Sequence, residues 1–208
     1  MKRHARLQSP PHTPELTLYL ADELEPVWRQ TEEALSAMGL PPPFWAFAWA
    51  GGQGLARFVL DHPAEVAGKR VLDFATGSGL VAIAAAKAGA RSVLASDLDP
   101  YAGAALALNA QVNAVEIAFT EKNLLLSPPP EVDMILAGDI CYERAVAEQL
   151  VAWLTQAHAQ GIRVLIGDPG RSYFPHAGLR QLAEYTVETT REIEDAAVKR
   201  TGVWTLPD

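Results

Sequence analysis

One cysteine, Cys141, stands among the 208 residues, so no disulfide can close within the chain. Apolar runs of membrane-spanning length are missing too, which argues against an integral helical membrane protein. Basic residues are outnumbered: 17 Lys and Arg face 25 Asp and Glu, for a formal charge of −8, and no long Lys/Arg block occurs. A nucleic-acid binder needs a basic footprint, so none is expected as partner. The five histidines show no metal-ligand spacing, and Cys141 lies in no zinc or nucleophile pattern; no metal site is expected. Internal repeats and low-complexity tracts are lacking as well.

What is there fits one α/β domain. With 49% hydrophobic residues the chain can bury a single sizeable core. Lys2, Arg3 and Arg6 precede any acid, as in a transit peptide, but Pro10, Pro11 and Pro14 break a long amphipathic helix there. A ragged N-terminus on a cytoplasmic protein is the expectation. Residues 15–40 carry Val27, Thr31, Leu35 and Met38 near helical spacing, stopped by Gly39 and Pro41 to Pro43. With the aromatic loop Phe44-Trp45-Ala46-Phe47-Ala48-Trp49, residues 1–50 read as a helical cap, and 51–208 as the main fold.

A helix is expected over 52–61. From residue 70, apolar runs at 71–73, 92–97, 115–120, 134–138 and 164–168 alternate with helical segments at 78–89, 100–113 and 143–160. This spacing predicts right-handed βαβ units and a parallel sheet with helices on both faces. Residues 185–193 and 198–206 alternate polar and apolar across a Glu194-Asp195-Ala196 turn, adding a C-terminal antiparallel hairpin. The fold class is therefore α/β: a Rossmann-like, seven-stranded, mostly parallel sheet.

Ligands of such sheets sit beyond the carboxyl ends of the strands. Asp73, Asp97, Asn123, Asp139 and Asp168 all end or follow strands, a convergence with chemical meaning. Asp73 lies four positions ahead of the turn Gly77-Ser78-Gly79, where a helix N-terminus would favour an anion. An anionic Asp73 repels the pyrophosphate of a dinucleotide but suits the ammonium of S-adenosyl-L-methionine (SAM), which carries no phosphate. Asp97, twenty positions after Gly77, is placed to accept ribose hydroxyls, a group that NAD shares. After the fourth strand, Asp139 and Tyr142 are placed to steer a nucleophile towards the sulfonium methyl. For Tyr142 the alternative is core packing, and for Asp73 it is capping the following helix.

These residues carry a resemblance. The chain resembles the seven-β-strand SAM-dependent methyltransferases, and within them the protein-lysine methyltransferases with an acid, two residues and an aromatic after the fourth strand, here Asp139-Ile140-Cys141-Tyr142. The tryptophan loop 43–53 and Leu165-Ile166-Gly167-Asp168-Pro169-Gly170-Arg171 are similar to the lysine methyltransferases of the electron-transfer flavoprotein β subunit and their bacterial homologues. The resemblance implies SAM as cofactor, held by Trp49, Asp73, Thr76, Gly77, Gly79, Asp97, Asn123, Leu124 and Gly138. It implies Asp139 and Tyr142 as the catalytic pair, with Trp45, Asp168 and Arg171 on the substrate side. Residues 51–208 would then be the methyltransferase domain, and the flavoprotein β subunit the partner, with a ribosomal protein as second candidate. Where the superfamily turn commonly has glycine, this chain has Ala75, which must adopt that backbone angle. Three other readings stay open: methylation of a small amine or heteroaromatic nitrogen, an NAD-dependent oxidoreductase on the strength of GxGxxA, and a silent methyltransferase-like scaffold.

Overall fold

The computed structural model describes residues 5–21, 37, 42–189, 194 and 196–207. Nine strands and four helices are referred to below. A two-stranded antiparallel pair, β1 (Ala5–Gln8) and β2 (Leu18–Ala21), precedes the main sheet. The sheet comprises β3 (Arg70–Phe74), β4 (Ser92–Ser96), β5 (Ala118–Thr120), β6 (Met134–Gly138), β7 (Arg163–Asp168), β8 (Arg180–Glu188) and β9 (Val198–Thr205). Its order is β5-β4-β3-β6-β7-β9-β8, with β9 antiparallel to both β7 and β8 and all other pairs parallel. The helices are α1 (Ala50–Asp61), α2 (Leu80–Lys87), α3 (Pro100–Val112) and α4 (Arg144–Ala159). None of the described helices is long and apolar enough to cross a membrane.

The chain runs outward from β3 through β4 to β5, then returns to β6 on the other side of β3. Right-handed crossovers in opposite directions place their helices on opposite faces. The core divides accordingly: Leu55, Val59 and Ile83 of α1 and α2 pack on one face with Leu106 of α3. Leu150, Trp153 and Leu154 of α4 pack on the other. Between β3 and β6 the chain therefore departs to two sides, opening a crevice at the carboxyl edge.

Three elements depart from the sequence expectation. Residues 18–21 are strand, not helix: Leu16, Leu18 and Leu20 are buried at alternate positions, a period of two. β2 docks on α3, where buried Asn109 accepts from Tyr19 N at 2.7 Å and Asn113 Nδ2 donates to Thr17 O at 2.7 Å. The helical positions Val27, Thr31, Leu35 and Met38 lie outside the described residues. The third parallel strand is only Ala118–Thr120, because Val115 and Ile117 pack on the core without pairing to β4. The hairpin starts earlier than expected, at Arg180, since β8 follows β9 from Arg180↔Thr205 to Glu188↔Val198 around a bulge between Gln181 and Ala183.

The N-terminus of α1 rests on the ends of β6 and β7, and glycine makes the approach possible. A β-carbon on Gly51 would stand 2.5 Å from the Gly167 carbonyl oxygen, and one on Gly138 3.0 Å from the Gly52 Cα. On Gly167 it would overlap the Gly51 carbonyl oxygen. Backbone on both sides leaves nothing flexible to yield. Gly167→Ala is therefore expected to destabilise by about 1–3 kcal/mol, the range for an overpacked core. Urea denaturation checks this, and an unchanged midpoint would contradict the close contact.

Candidate active site

The turn after β3 is built around a buried carboxylate. Asp73 is 1% exposed, and its Oδ2 accepts from Thr76 Oγ1 at 2.5 Å and from Ala82 N at 3.0 Å. Ala82 is the third residue of α2, whose N-cap, Gly79, has no side chain to offer. Asp73 thus caps the helix from the preceding strand. Burial pushes its carboxyl up to about 7, against the two hydrogen bonds that hold it down. Asp73 is not among the residues lining the cavity described below, and its Oδ2 braces the turn. Ala75 sits at φ 55, Gly77 at φ 52 and Gly79 at φ 84. Alanine thus occupies the left-handed region, at a cost of roughly 1–2 kcal/mol.

Asp97, just past β4, closes the turn from the other side. Its Oδ2 accepts from Gly77 N at 2.9 Å and its Oδ1 from Asp99 N at 3.0 Å. An ionised carboxylate has about four lone-pair sites, so acceptor capacity remains. Burial raises its pKa.

Across the crevice, Asp139 follows β6 at φ 57, a left-handed angle that aspartate tolerates better than most residues. Its Oδ2 accepts from Gly52 N at 3.0 Å, and its Oδ1 accepts from Arg171 Nε at 2.8 Å. Arg171 Nη2 also donates to Glu194 Oε1 at 2.9 Å, and that same oxygen accepts from Ala50 N at 3.0 Å. Ala50 and Gly52 are the first and third residues of α1, so two carboxylates cap one helix and one guanidinium joins them. Burial pushes Asp139 up to about 6; Arg171 opposes the shift, while Glu194 and Asp168 add to it.

A cavity of about 550 Å³ lies between these walls, lined among others by Trp45, Trp49, Gly77, Asp97, Asp139 and Tyr142. Phe44, Ala75, Gly138, Ile140 and Arg171 complete much of the rest. Its size is within the range of about 300–1,000 Å³ usual for small-molecule sites. Phe44 lies 5.4 Å from Tyr142, ring to ring, and both are 42% exposed, which places aromatic edges at the mouth. Trp49 is fixed by Nε1 donating to Phe44 O at 2.8 Å and by the Arg171 guanidinium 5.7 Å from its ring centre.

The structure gathers Trp45, Trp49, Gly77, Asp97, Gly138, Asp139, Tyr142 and Arg171 at this cavity. Thr76 and Gly79 support the turn beneath it, Gly79 by admitting Leu106, whose Cδ1 a β-carbon would meet at 2.5 Å. Asn123 and Leu124 do not line it; Asn123 instead accepts from Leu125 N at 3.1 Å to start a 3-10 turn. Asp168 is also outside the wall, and its Oδ1 holds the following turn through Gly170 N and Arg171 N, both at 2.7 Å. Nor is Arg171 a free surface cation, because its charge is committed to Asp139 and Glu194. Sequence reading placed Glu194 in a turn and missed this role. Cys141 is buried and pushed up to about 12, chiefly by burial, so it is no thiolate.

Residues 58–143 match the family model of ribosomal protein L11 methyltransferase (PrmA). The chain is 40% identical over 210 residues to the electron transfer flavoprotein beta subunit lysine methyltransferase of Xenopus laevis, covering 98% of this chain and 84% of that protein. The mouse protein of the same name is 39% identical, over 92% of this chain and 76% of its own length. Among solved structures, magnesium protoporphyrin IX methyltransferase of Synechocystis PCC 6803 with bound SAM shares the fold, with a TM-score of 0.56 and 16% identity over 76% of this chain and 80% of that one.

The Asp73 environment makes stability depend on pH. Its folded pKa, about 7, lies above the 3.8 of an unperturbed aspartate, so the folded state holds the proton more tightly. Stability from this group is full below the lower value and is lost as pH rises through the upper one. Asp73→Asn keeps an oxygen acceptor for Thr76 and Ala82 without the titration. Denaturant midpoints measured from pH 4 to 8 are expected to fall less steeply in the variant, and parallel curves would contradict the burial of the charge.

Proposed function

Because the chain belongs to the electron transfer flavoprotein beta subunit lysine methyltransferase family, we propose that it transfers a methyl group from SAM to a lysine side chain of a protein substrate, foremost the beta subunit of an electron transfer flavoprotein. The observation that carries the chemistry is Asp139: a buried carboxylate at the wall of an aromatic-lined cavity, fixed at both oxygens.

The residues fit the cofactor. The left-handed Gly77 brings bare backbone to the cavity, Asp97 keeps acceptor capacity for ribose hydroxyls, and Trp45 and Trp49 supply flat apolar walls. When bound, SAM supplies a methyl group already activated by its sulfonium. The protein's own task is to position and desolvate the lysine nitrogen. Phe44 and Tyr142 at the mouth attract the incoming ammonium through their ring faces. Asp139, ionised above about pH 6, accepts a hydrogen bond from it and aligns it. A lysine near 10.4 must lose its proton before attack, and a carboxyl near 6 is too weak a base to keep it, so the proton passes to water.

Radiolabelled SAM, the flavoprotein beta subunit and a cell lysate form the test. Label is expected in the flavoprotein band; label in a ribosomal protein or only in small molecules would replace that substrate. Asp139→Asn is expected to lower kcat by about 100-fold with SAM affinity retained, consistent with the loss of an orienting group. Full turnover in that variant would remove Asp139 from the mechanism. Asp97→Ala is expected to weaken SAM binding at least ~10-fold by calorimetry, and unchanged affinity would undo the ribose assignment.

A further inference from the structure

We propose that Glu194 and Arg171 are a positioning pair for methyl transfer: Glu194 holds the guanidinium where it both orients the Asp139 carboxylate and backs Trp49. The inference rests on the proposed function. Glu194 is not part of the cavity wall, and its side chain is 1% exposed, so it acts through Arg171 and not on a ligand. Its Oε1 is shared between Arg171 and Ala50 N, while Asp139 takes Arg171 and Gly52 N. Trp49, the residue immediately before α1, is thereby set between a capped helix and a fixed cation.

Charge separates positioning from simple capping. Among the described residues, the groups facing Asp139 are Asp168 at the end of β7, Arg171 after it, Glu194 before β9, the amide end of α1, and Cys141 on its own loop. One cation thus serves three acids, and Glu194 draws on the guanidinium that would otherwise favour Asp139 alone. Asp168 contributes by fixing the Arg171 backbone amide. Among the described residues, buried Glu194 Oε2 and Asp168 Oδ2 have no hydrogen-bond partner, which keeps the cluster rich in negative charge beside the place where a lysine ammonium would arrive. A cap needs only the Oε1 acceptor, which Gln also offers; a positioning residue also sets the charge state of Asp139.

Wild type, Glu194→Gln and Arg171→Lys are compared in the full chain by thermal melting, SAM calorimetry and the pH dependence of kcat on the methylated protein. Glu194→Gln is expected to melt near wild type, to bind SAM within ~3-fold, and to move the acidic limb of kcat down by about half a pH unit, because Arg171 then serves Asp139 without a competing carboxylate. Arg171→Lys keeps the charge but loses the fork. Its acidic limb is expected to move up and kcat to fall at least ~10-fold, with SAM affinity retained. A limb unmoved in both variants, with kcat falling only as melting temperature falls, would overturn the inference. Should Glu194→Gln not fold, Arg171→Lys decides alone. A wild-type enzyme that methylates no substrate would refute the proposed function instead, and the pair would then be judged by carbon-13 titration of the Asp139 carboxyl. That midpoint is expected to move down in Glu194→Gln, or up in Arg171→Lys if the first variant does not fold, and a fixed midpoint would overturn the pair.

Discussion

Arg171 holds two carboxylates, Asp139 and Glu194, against the first amides of α1, and the geometry of the cavity wall depends on that contact. Neither acid is affordable alone: an ionised carboxylate without partners in such a place would take up a proton or force the structure open. Together with the guanidinium and the helix end they form a compensated group, and each member fixes something else. Asp139 fixes the loop after β6, Glu194 ties the segment before β9 to α1, and Arg171 backs Trp49.

The network is possible only because three glycines allow backbone to meet backbone. Gly51, Gly138 and Gly167 come from a helix and two adjacent strands, and a side chain on any of them would push α1 away from the sheet. The hydrogen bond from Gly52 to Asp139 can form because Gly138, one residue before Asp139, has no side chain to hold the helix off. Packing and electrostatics are here the same constraint, since a shift of the helix large enough to relieve an added methyl would also break its caps.

Much of this was readable in the chain. The βαβ alternation gave the parallel strands, and acids at strand ends located the crevice, because both follow from local periodicity and a general rule of sheet topology. The failures have physical reasons. Residues 16–20 read as helix because a few spaced apolar positions further on dominated, although Leu16, Leu18 and Leu20 already showed the strand period. Glu194 was invisible because its role depends on where β9 returns beside β7, a contact between residues 23 positions apart. The available signal was indirect: Arg171, in a turn after a buried strand, needed a partner that its sequence neighbours beyond Asp168 did not offer. Asn123 and Leu124, placed beside the adenine by resemblance, start the 3-10 turn after β5 and are not among the residues that line the cavity.

Asp73 shows how far a charge argument from sequence can carry. Its position ahead of the glycine turn separated SAM from a dinucleotide on the premise of a full negative charge facing the ligand. Burial raises its pKa to about 7, which disfavours the full negative charge, and its Oδ2 is occupied by the turn. The wall itself also carries charge: Asp97, Asp99 and Asp139 line it, and the Arg171 guanidinium is shared between Asp139 and Glu194. Carboxylates on both walls of the cavity disfavour an anion and favour a cation. The charge argument made from one residue thus extends to the carboxylates of the whole crevice, while Asp73 shapes the turn that opens it.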